Sequence, residues 1–233
     1  MTVGPRKEGA GAPGAAQAWV SVPRWGNCLV KRCADLLGSL FLLLICAPTW
    51  PVVALLIRLE SQGPVFIRQP RAGRLENPFR IFKFRSMREV SEADEQAMAS
   101  LTRKVRSAHR TTRFGRVLRR SSLDELPQLL NVFLGHMSLV GPRPLVFDDL
   151  DDPYQVAPVE GEIGHDLLRR WRETRCQVRP GMTGLWQVSG RSSLPLEGWL
   201  QHDVEYVERC SLALDLQLLW RTAVVVLKGT GAN

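Results

Sequence analysis

Leu36-Leu37-Gly38-Ser39-Leu40-Phe41-Leu42-Leu43-Leu44-Ile45-Cys46-Ala47-Pro48-Thr49-Trp50-Pro51-Val52-Val53-Ala54-Leu55-Leu56-Ile57 decides the architecture: 22 residues without a charge, bounded by Asp35 and Arg58. As one straight helix this stretch reaches about 33 Å, enough to cross the hydrocarbon core of a bilayer. Pro48 and Pro51 lie in its middle, where each removes a backbone donor and clashes with the preceding turn, so the helix should bend or break there. Both flanks are basic, with Lys31 and Arg32 before the segment and Arg58, Arg68, Arg71 and Arg74 after it. Basic flanks favour the cytoplasm, and a single crossing cannot put both there. A helix that enters, turns at Pro48 and leaves by the same face satisfies both. The competing reading, a kinked helix inside a soluble core, is disfavoured because charge-free runs of this length usually meet lipid.

Outward from this segment, residues 1–23 are rich in Gly, Ala and Pro without apolar periodicity. Ala15-Ala16-Gln17-Ala18 would suit signal cleavage only after an apolar run, and none precedes it, so 1–23 reads as a flexible leader. The whole chain of 233 residues is 45% hydrophobic and 23% charged, which excludes a disordered protein. A formal net charge of +8 attracts a polyanion, a phosphorylated ligand or an acidic leaflet, and composition does not choose among them. The five cysteines are an odd set without C-x-x-C spacing, which argues against a zinc knuckle or a complete disulfide framework and for a reducing, cytosol-facing setting.

Downstream the pattern turns soluble and mixed. Val65 to Gln69 and Phe79 to Arg85 read as strands of a hairpin around Gly73 and Asn77-Pro78. Alternation in the second strand puts Lys83 and Arg85 on one face, Phe82 and Phe84 on the other. Residues 101–120 carry eight Lys and Arg and no acid. Such a run suits acidic lipid, a diphosphate or a solvated helix face; with Phe114 alone interleaved, nucleic-acid stacking is poorly supported. The acidic stretch from Asp148 up to Gly164 reads as a mobile insertion. The stretch Leu212 to Leu227 contains Asp215 and Arg221 and is too short to span, so it is a core helix or one lying in the interface, the core being favoured.

The densest chemistry is Ser121-Ser122-Leu123-Asp124-Glu125-Leu126-Pro127-Gln128-Leu129-Leu130-Asn131. Ser122 and Glu125 match a helix-capping box, although Pro127 then sits where a donor is needed; a cap at Asp124 suits Pro127 better. Either choice places two carboxylates at a helix start, where the peptide dipoles favour the ionised form and free N–H groups can hold phosphate. Adjacent carboxylates beside arginines suit a divalent cation bridging to a diphosphate, or an Asp nucleophile on phosphorus. Gly141-Pro142-Arg143-Pro144 presents a guanidinium from a stiff turn, suited to two-pronged phosphate contact. Arg179 to Arg191, a stretch with Gln187 and three glycines, offers close backbone approach and polar groups for a sugar or base. Asp203 and Tyr206 share a helix face.

These motifs closely resemble the bacterial sugar transferase family, the monotopic polyprenyl-phosphate phosphoglycosyl transferases that initiate exopolysaccharide, O-antigen and glycoconjugate assembly. The match runs through Lys31-Arg32-x-x-Asp35, the interrupted helix, Gly63-Pro64-Val65-Phe66, Lys83-Phe84-Arg85-Ser86-Met87, Ser122 to Gln128, Ser138 to Pro144, Arg179-Pro180-Gly181 and Thr183-Gly184 to Asp215. The resemblance implies an α+β, predominantly helical fold: a leader at 1–23, a re-entrant membrane helix (helix-break-helix) at 24–60, and a compact catalytic domain with a small antiparallel hairpin at 61–233. It implies a monotopic protein of the bacterial inner membrane facing the cytoplasm, Mg²⁺, a UDP-sugar donor and undecaprenyl phosphate as acceptor, with membrane lipid and not nucleic acid as the other partner; a homodimer is compatible with it. Carried over, Asp124 is the nucleophile that forms a phosphosugar intermediate with release of UMP, and Glu125 supports metal binding or proton handling. Asp124 and Glu125 would hold the metal; Lys83, Arg85, Arg119, Arg143, Gln187 and Arg191 would bind substrate. Relatives often carry Ser where this chain has Ala47, so the break should do without a hydroxyl and lean on Pro51. Two further departures are His136, where relatives tend to carry an acid, and the absence of a Trp near Cys210. A contrasting reading is a catalytically degenerate, membrane-tethered protein that grips anionic lipid or nucleic acid; the intact carboxylate pair counts against it. The sugar and its pathway are not legible.

Overall fold

The computed structural model describes residues 24–89, 103–155, 165–190 and 194–228. The apolar segment forms helix α1 (Leu29–Cys46), a 3₁₀ turn over Ala47–Thr49 and helix α2 (Trp50–Glu60). Cys46, Ala47, Thr49 and Trp50 keep right-handed helical backbone angles, so the interruption is a tightening of the ladder and not an open loop. The Trp50 N–H bonds back to the Ala47 carbonyl, and the Thr49 hydroxyl donates to the Cys46 carbonyl at 2.7 Å. The break therefore does use a hydroxyl, that of Thr49, two residues after Ala47. In lipid such a bond satisfies a carbonyl that water cannot reach. Most side chains of the segment are exposed, Phe41, Leu44, Ile45 and Val52 each by more than half. Among the described residues this is the one helical stretch long and apolar enough to cross a membrane.

Both ends of the segment are fastened to the same body. At the start, Lys31 and Arg32 are not free interfacial cations. Lys31 Nζ pairs with Asp215 at 2.6 Å in a buried site, where Trp25 Nε1 and the Tyr206 hydroxyl also donate to that carboxylate. Arg32 caps the end of helix α5 (Gln128–Phe133) by donating to the Val132 and Phe133 carbonyls at 2.7 and 2.8 Å. Asp35 accepts from the Ser138 hydroxyl and the Leu139 N–H. At the other end, Ile57 packs with Phe84 and Leu118, and the Glu60 carboxylate accepts the Phe114 N–H at the start of helix α4 (Arg113–Arg120).

The hairpin is strand β1 (Phe66–Ala72) against β2 (Pro78–Phe84), antiparallel with Phe66 opposite Phe84 and Ala72 opposite Pro78. The first strand runs three residues beyond the sequence expectation. The basic run divides into α3 (Arg103–Arg110) and α4, because Thr112 takes an extended conformation and its hydroxyl accepts the Gly115 N–H as an N-cap. The acidic stretch expected as a mobile insertion is ordered in its first part. Helix α6 (Phe147–Asp151) buries Asp149 and Leu150, and Arg172 holds Asp151 at 2.8 Å; residues 156–164 lie outside the described residues.

A second pairing has no counterpart in the sequence reading. Strands β3 (Ser138–Val140) and β4 (Gly181–Thr183) run parallel, Ser138 opposite Gly181 and Val140 opposite Thr183. This brings the Gly141-Pro142-Arg143-Pro144 turn against Arg179-Pro180-Gly181, with Gly181 N–H donating to the Pro142 carbonyl at 2.8 Å. The contact requires glycine: a Cβ on Gly181 would lie 2.0 Å from the Gly141 nitrogen. Helices α7 (His165–Arg175), α8 (Leu185–Val188) and α9 (Leu196–Arg209) build a second core around Trp171, Trp199 and Leu200. Helix α10 (Leu212–Lys228) is a core helix on one side, with Asp215 and Leu218 buried, and leaves Leu212, Leu216 and Trp220 exposed on another. The fold is predominantly helical with a small antiparallel hairpin, as expected.

Candidate active site

Helix α4 ends at Ser121–Ser122. Ser122 adopts a left-handed conformation (φ 58°), the geometry of a residue just past a helix end, and makes no side-chain cap. The capping box is therefore not formed. The chain instead makes a 3₁₀ turn over Leu123–Glu125, and α5 begins only after Pro127. Pro127 thus precedes the helix and the missing donor is not needed. The two carboxylates sit on a turn between helices instead of at a helix start.

Asp124 is buried, and burial together with the neighbouring Glu125 charge raises its carboxyl to about 6, with Lys83, Arg119 and Arg143 pulling the other way. Glu125 is the junction of the cations: its Oε1 meets Lys83 Nζ at 2.8 Å and Arg143 Nη2 at 3.3 Å. Lys83 reaches it from β2, and Arg143 from the double-proline turn, where its guanidinium lies over the Trp186 ring at 5.9 Å. Arg119 is anchored from α4 by bonds to the Ser107 and Thr111 hydroxyls.

Five of the expected residues, Asp124, Glu125, Lys83, Arg119 and Arg143, thus converge. Arg85 goes elsewhere: it is buried and its Nη2 donates to the Ser61 carbonyl at 2.6 Å, tying the chain after α2 to the hairpin. Lys83 and Arg85 thus have different partners, Glu125 for the first and the Ser61 carbonyl for the second. Gln187 is buried on α8 and its amide donates to the Met182 carbonyl at 3.0 Å, bracing β4. Arg191 lies outside the described residues. The cleft beside Glu125 is lined also by Arg71 and Gln128. Neither was singled out for this site from the sequence, although Gln128 stands three and four residues after the carboxylates, the spacing of a shared face. It is buried and its amide nitrogen has no hydrogen-bond partner.

Among the described residues no third His, Cys, Asp or Glu joins Asp124 and Glu125 in a metal-binding cluster. Two carboxylates are too few for a closed protein cage but suit Mg²⁺, which keeps waters and shares the oxygens of a substrate phosphate. The set is hard oxygen only, unlike a zinc site.

The model of the family described as bacterial sugar transferase matches residues 26–229. Over 200 residues the chain is 41% identical to the undecaprenyl-phosphate glucose phosphotransferase of Komagataeibacter xylinus, covering 83% of this chain and 35% of that protein. It is 37% identical over 209 residues to the exopolysaccharide production protein PSS of Rhizobium leguminosarum bv. phaseoli, covering 87% of this chain and 98% of the relative. The UDP-glucose:undecaprenyl-phosphate glucose-1-phosphate transferase of Caulobacter vibrioides is 38% identical over 211 residues, covering 88% of this chain and 73% of the relative. The chain thus spans about a third of the first of these proteins and nearly all of the second. With a match from residue 26 to residue 229 that includes the carboxylate pair and the arginine turn facing it, the chain belongs to the bacterial sugar transferase family.

Proposed function

We propose that this protein transfers a sugar 1-phosphate from a UDP-sugar to undecaprenyl phosphate at the cytoplasmic face of the bacterial inner membrane, initiating polysaccharide or glycoconjugate assembly. The observation that carries this reading is the convergence of a buried Asp124 with Glu125, Lys83, Arg119 and Arg143. A diphosphate brings concentrated negative charge, and three cations around a carboxylate pair are complementary to it.

In the first step an Asp124 carboxylate oxygen attacks the β-phosphorus of the donor. The bond from that phosphorus to the bridging oxygen breaks, and UMP leaves with the electron pair. In the second step an oxygen of the lipid phosphate attacks the same phosphorus and releases the Asp124 carboxylate, giving the diphosphate-linked lipid sugar. Lys83 and Arg143 hold Glu125 beside the nucleophile and are placed to share their charge with the incoming phosphates. Asp124 and Glu125 would hold Mg²⁺, which would supply charge neutralisation for the donor's diphosphate and for the departing UMP.

The re-entrant topology belongs to this proposal. Its support is that Lys31, Arg32 and Asp35 at one end, and Ile57 and Glu60 at the other, bind the same body. The site lies at the base of the apolar helix, because Lys83 is adjacent to Phe84, which packs on Ile57. A membrane-embedded acceptor would arrive there. The test is release of UMP from a panel of UDP-sugars with undecaprenyl phosphate, together with donor-alone labelling of the protein. Release with one sugar and transfer of label to lipid is the expected result, and it names the sugar. Tight lipid or nucleic-acid binding without UMP release from any sugar would leave the degenerate binding protein.

A further inference from the structure

We infer that Arg175, held by Asp203, is a positioning residue for the sugar-nucleotide reaction: it fixes the backbone of Arg143 and so directs the guanidinium that faces Glu125. This rests on the role proposed above for Arg143. Arg175 Nη2 donates to the Arg143 carbonyl. Its Nε pairs with the Asp203 carboxylate at 3.5 Å, and its guanidinium lies 4.7 Å from the Trp171 ring centre and 6.0 Å from that of Trp199. Asp203 in turn accepts from Trp171 Nε1 at 3.1 Å. Trp199 meets Trp186 edge-on at 5.7 Å, and Trp186 is the ring under Arg143. One assembly therefore holds Arg143 twice, by its backbone carbonyl and beneath its guanidinium.

Stability alone does not account for the arrangement. Arg175 and Asp203 are both buried, and Arg175 Nη1 has no hydrogen-bond partner. Buried ion pairs contribute little over apolar packing, and an orphaned buried donor is costly. What the pair does provide is direction. Pro144 confines Arg143 to extended backbone angles without selecting one orientation, and a charged donor on the Arg143 carbonyl selects it within that range.

The test is a double-mutant cycle in the full chain, reading UMP release and thermal melting for Arg175→Met, Arg143→Ala and the double variant. Arg175→Met alone should lower kcat/KM by about 100-fold, the loss expected of a misplaced substrate clamp. In the Arg143→Ala background the same substitution should cost no further activity, while lowering the melting temperature as much as it does in the wild type. Additive losses of activity, or wild-type kinetics in folded Arg175→Met, overturn the inference. If Arg143→Ala itself is wild-type-like, the role of Arg143 falls and the inference with it. Should Arg175→Met not fold, Arg175→Met with Asp203→Asn leaves neither charge buried alone and is read the same way.

Discussion

At the residue scale, the Asp124 environment opposes ionisation, so its protonation should be visible by direct titration and in stability. With its carboxyl at about 6 in the metal-free protein, the reactive carboxylate is lost as pH falls through that value, and a carboxyl-resolved NMR titration of Asp124 without divalent cation should show a midpoint near pH 6. The same shift acts on folding. A carboxyl raised from the ordinary 3.8 is favourable to the folded state when protonated, so the penalty is absent below about pH 4 and fully present above about pH 6. Asp124→Asn should therefore abolish labelling and, in EDTA at pH 7.5, stabilise the protein by on the order of 1–3 kcal/mol. The gain should shrink toward zero by pH 4, and a melting-temperature series across pH measures it. At Arg143 geometry outweighs charge: Arg143→Lys keeps the cation but loses the planar fork, and kcat/KM should fall by roughly 10-fold or more with melting unchanged. The carboxylate pair and this arginine were legible from their own sequence neighbourhoods. That Glu125, not Asp124, takes the cations was not, because it depends on where β2 and the double-proline turn meet the 3₁₀ turn.

At the element scale, the interrupted helix was readable because proline acts through its own backbone. What closes the break was misread: the Thr49 hydroxyl bonds the Cys46 carbonyl although position 47 is Ala. Thr49→Val removes that donor while keeping shape. It should cost about 1 kcal/mol or more, seen as earlier thermal unfolding in detergent, because the Cys46 carbonyl loses its partner where water is scarce. The capping box failed for a local reason of a different kind. Ser122 is consumed in ending α4, and a residue in the left-handed region cannot also begin the next helix. The hairpin was found from its turn residues and alternation, both local signals. The two-residue parallel pairing of β3 with β4 was not, since each strand is too short to show a period.

At the scale of the whole molecule, the Lys31–Asp215 pair fastens the start of the apolar segment to helix α10. Asp215→Ala leaves Lys31 buried without its counter-charge and removes the acceptor of Trp25, while Tyr206 keeps the Val140 carbonyl, so a loss of about 3–5 kcal/mol is expected. Lys31→Met with Asp215→Leu should recover much of it, as judged by melting. The same tie governs topology. A cysteine in the leader, in a cysteine-free background, should be protected from an impermeant thiol reagent outside the cell. Labelling should appear in part with Pro48→Leu and Pro51→Leu, and more fully when Lys31→Met and Asp215→Leu are added; labelling of the otherwise native protein would sink the re-entrant reading. The sequence by itself determined the apolar segment and its break, the hairpin, the carboxylate pair, the stiff arginine turn and the family, because each is written in contiguous residues whose physics is local. Tertiary structure decided which cations reach Glu125, that Arg85 braces Ser61 instead, that Lys31 and Arg32 are bonded and not merely basic flanks, and that Arg175 grips Arg143. Those outcomes join residues up to 184 positions apart, and a contact across such a separation is fixed by how cores pack and by which buried charges find partners, neither of which any single stretch of chain contains.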